Sequence, residues 1–192
     1  MTGGGPPPPH FFAHSHGADG GRLPAAQSGA STHAQIHDRG RDGRLVDGPL
    51  AAAAQTPPVY GPAIGLDAAR KAVAAAEAEA KQNSWPMAIA VVDTAGRLVA
   101  FERLDNTQIA SLDIAIEKAK TANNLKRPTK ALQDALAQGG ASLRLLAVPG
   151  VLPIEGGVPI MSDGKVIGAI GVSGMASDQD AKCAMAGAAA AK

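Results

Sequence analysis

All five histidines of this chain, His10, His14, His16, His33 and His37, lie in its N-terminal stretch. Two of the spacings, His10 to His14 and His33 to His37, put both imidazoles on one face wherever the backbone is helical. Neutral imidazole is the commonest metal-binding side chain, so these four residues are the candidate metal ligands of the sequence. The competing reading is a low-complexity extension with incidental histidines, because proline and glycine surround them. A second set of residues could meet an anion. Lys118 and Thr121 stand three apart in a helical pattern and so share a face, offering an ammonium and a hydroxyl to a carboxylate. Arg103, with Asp105 close by, could add a planar guanidinium to the same anion. Gly156, Gly157 and Gly174 could leave backbone N–H groups open near the start of the last helix, a natural place for negative charge. The plainer alternative has Lys118 solvated, Thr121 bonded to its own helix, Arg103 paired with Asp105 and the glycines serving turns.

Catalytic groupings are missing from the pattern. No histidine follows His37, so the single Cys183 has no local base and reads as a small buried residue. Without a Ser-His-Asp set or a metal triad, a binding role is favoured over an enzyme. A lone cysteine also excludes an internal disulfide and a cysteine-only metal site. The net charge of +1 implies neither nucleic acid nor an anionic membrane, and aromatics at 3% disfavour base-stacking platforms. No apolar run is long enough to span a membrane, and the N-terminus lacks the basic start and apolar region of a secretory signal, so cytoplasm is the expected location.

Residues 1–58, with four prolines from Pro6 to Pro9 and no sustained apolar period, predict a disordered extension. Within it, residues 42–50 (DGRLVDGPL) form a short basic and apolar island that could dock on a protein partner. The folded domain is expected over residues 59–192. Leu66, Ala69, Val73, Ala76 and Ala80 recur at helical spacing, which predicts an amphipathic helix ending near Asn83, ahead of Pro86. Residues 87–92 and 98–103 are apolar, β-branched runs joined by Asp93-Thr94-Ala95-Gly96, a hairpin with Gly96 in the left-handed position. Residues 109–124 predict a second helix. A short third one opens at Pro128 and stops at Gly139-Gly140. Residues 143–151 read as a short strand or a loop.

Asp163-Gly164 then supplies a type I′ turn between two apolar runs. The predicted register pairs Ser162 with Lys165, Ile160 with Ile167, Pro159 with Gly168 and Val158 with Ala169. Pro159 marks an edge strand. The strand after the turn, apolar on both faces, is central, and its Gly168 and Gly171 admit either a ligand or a closely packed helix. A final helix starts with Ser177 as N-cap and Asp180 at the third helical position. The whole is an α+β layered fold with an antiparallel sheet of about five strands packed by helices.

Five segments carry a family resemblance: VVDTAGRLVAFERLDN (residues 91–106), IEKAKTA (116–122), PIEGGVPI (153–160), DGKVIGAIGVSG (163–174) and SDQDAKCA (177–184). In order and spacing they resemble the GlcG/HbpS family, which includes haem-binding proteins and the C-terminal domain of PduO-type proteins. The resemblance covers residues 64–192. It implies a profilin-like fold, homo-oligomeric assembly and binding of haem or a related tetrapyrrole such as a corrinoid, with haem degradation or signalling to a partner in some members. The family's R-M-D-G-A is here Arg103-Leu104-Asp105-Asn106-Thr107. Haem iron takes His, Met, Cys or Tyr as its usual axial ligand. The domain offers Met87, Met161, Met175, Met185, Cys183 and Tyr60, or a weak oxygen ligand such as Thr121 or Thr129; the alternative is a tail histidine of this or another subunit.

Overall fold

A computed structural model describes residues 56–191. His10, His14, His33, His37 and the 42–50 island lie outside the described residues. Element order is α1 (Leu66–Gln82), β1 (Ala88–Asp93), β2 (Leu98–Arg103), α2 (Ile109–Leu125), α3 (Thr129–Ala137), a 3-10 helix (Gly140–Ala147), β3 (Gly157–Ser162), β4 (Lys165–Ser173) and α4 (Ser177–Ala190). The strands form one antiparallel sheet in the order β2-β1-β4-β3. Helices cover both faces. On one, α1 and α4 pack over Ile89, Val91, Ile160, Ile170 and Val172; on the other, α2 lies on Ala88, Ala90, Val92 and Ala169 through Ala115, Ala119 and Ala122.

The sheet has four strands rather than five. The undecided 143–151 stretch is occupied by the 3-10 helix and a loop, entered through Gly139 and Gly140 at φ 68 and 57, a backbone that glycine adopts freely. Instead of a fifth strand, Tyr60 makes a short parallel bridge to Val166. This bridge explains a second departure. Pairing starts as predicted at Ser162 and Lys165, but a bulge follows and Ile160 meets Gly168, Pro159 meets Ala169 and Val158 meets Ile170. Ile167 is the extra residue. Its carbonyl accepts from Ile64 N–H at 2.8 Å, while Val166 exchanges backbone hydrogen bonds with Val59 and Gly61 at 2.9 and 2.8 Å. β1 ends opposite Gly168, so the 59–64 segment satisfies the β4 backbone groups that β1 does not reach.

β4 is central and β3 is an edge strand, as Pro159 indicates. Of the β4 glycines, Gly171 serves helix packing, whereas Gly168 makes room for the Val92 carbonyl of β1 and the Ile64 side chain. A Cβ on Gly171 would lie 2.5 Å from Ala119 N and 3.0 Å from Ala119 Cβ, so α2 rests directly on the strand backbone. Alanines on α2 and glycine on β4 thus replace bulky side chains with close approach. α4 begins one residue early: Ala176 is the N-cap, and its N–H donates to Gln179 Oε1 at 3.2 Å. The predicted capping role of Ser177 and Asp180 fails because the Asp180 carboxylate turns inward.

Gly171→Ala is expected to destabilise the domain by about 2–3 kcal/mol, since neither helix nor strand backbone has room to yield. Gly65→Ala, where an added Cβ meets nothing within 4 Å, is the control and should show only the smaller cost of Ala for Gly at the α1 N-cap. Chemical denaturation of both variants checks this.

Candidate functional site

α2 carries Lys118 on the face that meets β4 and the start of α4. Its ammonium donates to Asp180 Oδ2 at 2.6 Å and to the Val172 carbonyl at 3.2 Å, with the two side chains 1% and 2% exposed. Asp180 Oδ1 in turn accepts the Met175 N–H at 3.0 Å. Burial pushes the Asp180 carboxyl up, and the Lys118 ammonium and the Met175 N–H pull it back. Gly156, at φ 123, closes over the pair. A Cβ there would sit 2.8 Å from Lys118 Nζ and 2.9 Å from Asp180 Cβ. Around it, Thr121 Oγ1 accepts the Leu152 N–H at 2.8 Å and Thr129 Oγ1 the Gly157 N–H at 2.9 Å. Gln108 Nε2 donates to the Gly174 carbonyl at 3.2 Å. Lys118, Thr121, Gly156 and Gly157 therefore gather as the sequence indicates, but the anion that Lys118 meets is a carboxylate of its own chain.

Arg103 and Asp105 stand apart from this cluster. They line an open cavity of about 600 Å³ together with Lys81, Ser84, Trp85, Pro86, Leu104 and Asn106, which lies between the end of α1 and the end of β2. Its walls are two chain reversals. At the first, Ser84 takes φ 57, Ser84 N–H donates to the Lys81 carbonyl and Trp85 N–H to the Ala80 carbonyl, a left-handed helix stop that swings Trp85 out of α1. At the second, Asn106 takes φ 63 in the turn that Thr107 closes onto the Leu104 carbonyl. Asparagine tolerates this conformation better than most side chains, so Asn106 preserves a turn in which glycine would be free. Two non-glycine residues in left-handed backbone flank one cavity, a pattern that concentrates at functional sites.

Two cations, Lys81 and Arg103, stand at the rim of the cavity with Asp105 beside them. Lys81 pairs with Glu77, which the ammonium holds below the usual carboxylate range. Behind them Glu102 is raised, first by burial and then by the neighbouring Glu77 charge. Arg103 donates one N–H to the Thr107 carbonyl at 3.2 Å, which uses one of the five donors of its guanidinium. Trp85 carries Lys182 over its ring at 5.5 Å, and Lys182 is fixed by Glu79 at 2.7 Å. Of these lining residues the sequence singled out Arg103 and Asp105 as ligand contacts and Asn106 as a polar residue at the strand end that faces a cleft or water. The available signal was the sole tryptophan of the chain placed directly after a helix stop.

Residues 64–189 match the family described as haem degrading protein HbpS-like. The chain belongs to the HbpS-like family. Escherichia coli protein GlcG is 40% identical to it over 101 residues, which cover 53% of this chain and 74% of GlcG. Among solved structures, a double mutant of Streptomyces reticuli HbpS superposes with a TM-score of 0.63 at 35% identity, covering 72% of this chain and 93% of that one. A structure of a PduOC–haem complex superposes at 0.61 with 29% identity, covering 67% and 94%.

Set against a haem, the cavity of this HbpS-like chain divides into a part that fits and a part that does not. Lys81, Arg103 and Trp85 suit the carboxylates and the flat ring of a tetrapyrrole. No lining side chain is a His, Met, Cys or Tyr. Other possible iron ligands among the described residues are occupied or point elsewhere. Met87 is fully buried, and its sulfur would lie 3.0 Å from a Cβ on Gly174. Tyr60 donates its hydroxyl to the Asn123 carbonyl at 2.8 Å. Thr121 and Thr129 hold backbone groups, and Cys183 is buried with its thiol pushed up to about 12. Met161, Met175 and Met185 do not line the cavity. No described helix is long and apolar enough to cross a membrane.

Lys118→Met is expected to cost about 3–5 kcal/mol by stranding the Asp180 carboxylate, and Lys118→Met combined with Asp180→Leu to recover most of it. Thermal and urea unfolding of the three proteins read this out. A thiol held near 12 stays protonated at neutral pH, so Cys183 in the native protein should not react with a disulfide reagent. Reaction should reach one equivalent per chain only after unfolding.

Proposed function

We propose that this HbpS-like chain binds haem or a related tetrapyrrole in the cavity between α1 and β2. The observation that carries the reading is the pairing of two cations, Lys81 and Arg103, with the Trp85 ring around about 600 Å³ of space. That volume falls within the range of small-molecule sites. The family description and the PduOC–haem complex support the choice of ligand class. Homo-oligomeric assembly goes with this reading, supported by apolar side chains left open on the surface at Ile109, Leu143 and Leu146.

Titration of the full-length protein with haemin should give a saturable shift of the Soret band. Arg103→Ala should weaken binding by about tenfold, the worth of one charge-assisted hydrogen bond, and added salt should weaken the wild type further. A spectrum that never departs from that of free haemin would sink the proposal. Native mass measurement is expected to return a multiple of the chain mass.

A further inference from the structure

Resting on the reading above, we propose that this protein recognises its tetrapyrrole by carboxylates and ring face and not by the iron, so that it takes a metal-free porphyrin dicarboxylate as readily as haem. The argument starts from the composition of the cavity wall. Eight residues line it, and none of them carries an imidazole, thioether, thiol or phenol. Asp105 is the sole carboxylate among them, against the two cations of Lys81 and Arg103. Two cationic side chains on that wall, Lys81 still joined to Glu77, suit a ligand that brings carboxylates, while the wall offers a metal centre none of its usual donor atoms. A porphyrin with two propionates supplies one carboxylate for each cation.

Both cations are able to answer. Lys81 is two-thirds exposed at 66% and stays joined to Glu77 on the preceding helical turn, so its ammonium answers a ligand carboxylate with the donors that Glu77 leaves open. Arg103 keeps its fork largely free, with a single donor committed to Thr107. The third contact is apolar. Trp85 and Leu104 present flat and aliphatic surface beside Pro86, and Lys182, anchored by Glu79, fixes the indole from the α4 side. A ring stacked on such a surface gains the same contact whether its centre holds iron or two protons.

The test uses the full-length protein and three probes that share one macrocycle: haemin, iron-free protoporphyrin IX, and protoporphyrin IX dimethyl ester, whose carboxylates are blocked. Quenching of the single tryptophan, Trp85, reports binding of each. Haemin and iron-free protoporphyrin IX are expected to bind within about threefold of one another, and the ester about tenfold or more weaker. Arg103→Ala should lower the affinity for haemin and for protoporphyrin IX by the same factor. Tight haemin binding with no binding of protoporphyrin IX would overturn the inference while leaving haem binding standing, and would point to an iron ligand outside the cavity. Failure of both would overturn the inference together with the function proposed above. An ester that binds as well as the free acid would also overturn it, because the cations would then have no part in recognition.

Discussion

The Lys118–Asp180 ion pair, closed off from water, is the interaction on which the arrangement of layers depends. It joins α2 on one face of the sheet to the first turn of α4, whose body packs on the other face, and it does so beside the Val172 carbonyl at the end of β4. Two charges in the interior are tolerated because each is hydrogen-bonded on more than one side, the ammonium by two oxygens and the carboxylate by ammonium and backbone N–H. Gly156 is then required, since any side chain at that position would displace one partner. The polar ring continues through Thr121 and Thr129, which satisfy the loop before β3. What looked like the makings of an anion site is the means by which a long irregular segment is held against α2.

That interior economy has a counterpart at the surface. With alanine and glycine at the α2–β4 contact, helix and sheet approach closely and leave no internal space for a ligand. The candidate site opens at element ends. The stop of α1 at Ser84 and the turn at Asn106 both bend the chain outward, and the gap between them is the cavity bearing Trp85, Lys81 and Arg103. A rigid three-layer body therefore presents its chemistry on two strained reversals, each fixed by backbone hydrogen bonds.

Much of this architecture was legible in the sequence because it rests on local signals. The helical spacing from Leu66 to Ala80, the turn at Gly96 and the Asp163-Gly164 hairpin each specify an element without reference to the rest of the chain. The edge position of β3 followed from Pro159 alone. Failures occurred where a distant segment intervened. The bulge at Ile167 exists because the 59–64 segment claims β4 backbone groups, and nothing in the hairpin's own residues announces that partner. Asp180 looked like a capping residue until its partner 62 residues away was known. In the candidate site, Arg103 and Asp105 were visible as charged residues at a strand end, whereas Lys81, Ser84 and Trp85 belong to a different element and join them only through the pairing of β1 with β2 and the packing of α1 on the sheet.

The same long separation bears on how the protein is made. β1 is complete early in synthesis, yet its second neighbour, β4, starts at Lys165, and the counter-charge of Lys118 arrives only with α4. Until then α2 carries an ammonium on the face that must be buried, and the alanine surface around it has no strand to rest on. Non-local closure of this kind costs loop entropy before any contact repays it. The central pairing of the sheet and the buried ion pair can therefore be completed only when β4 and α4 are available to β1 and α2.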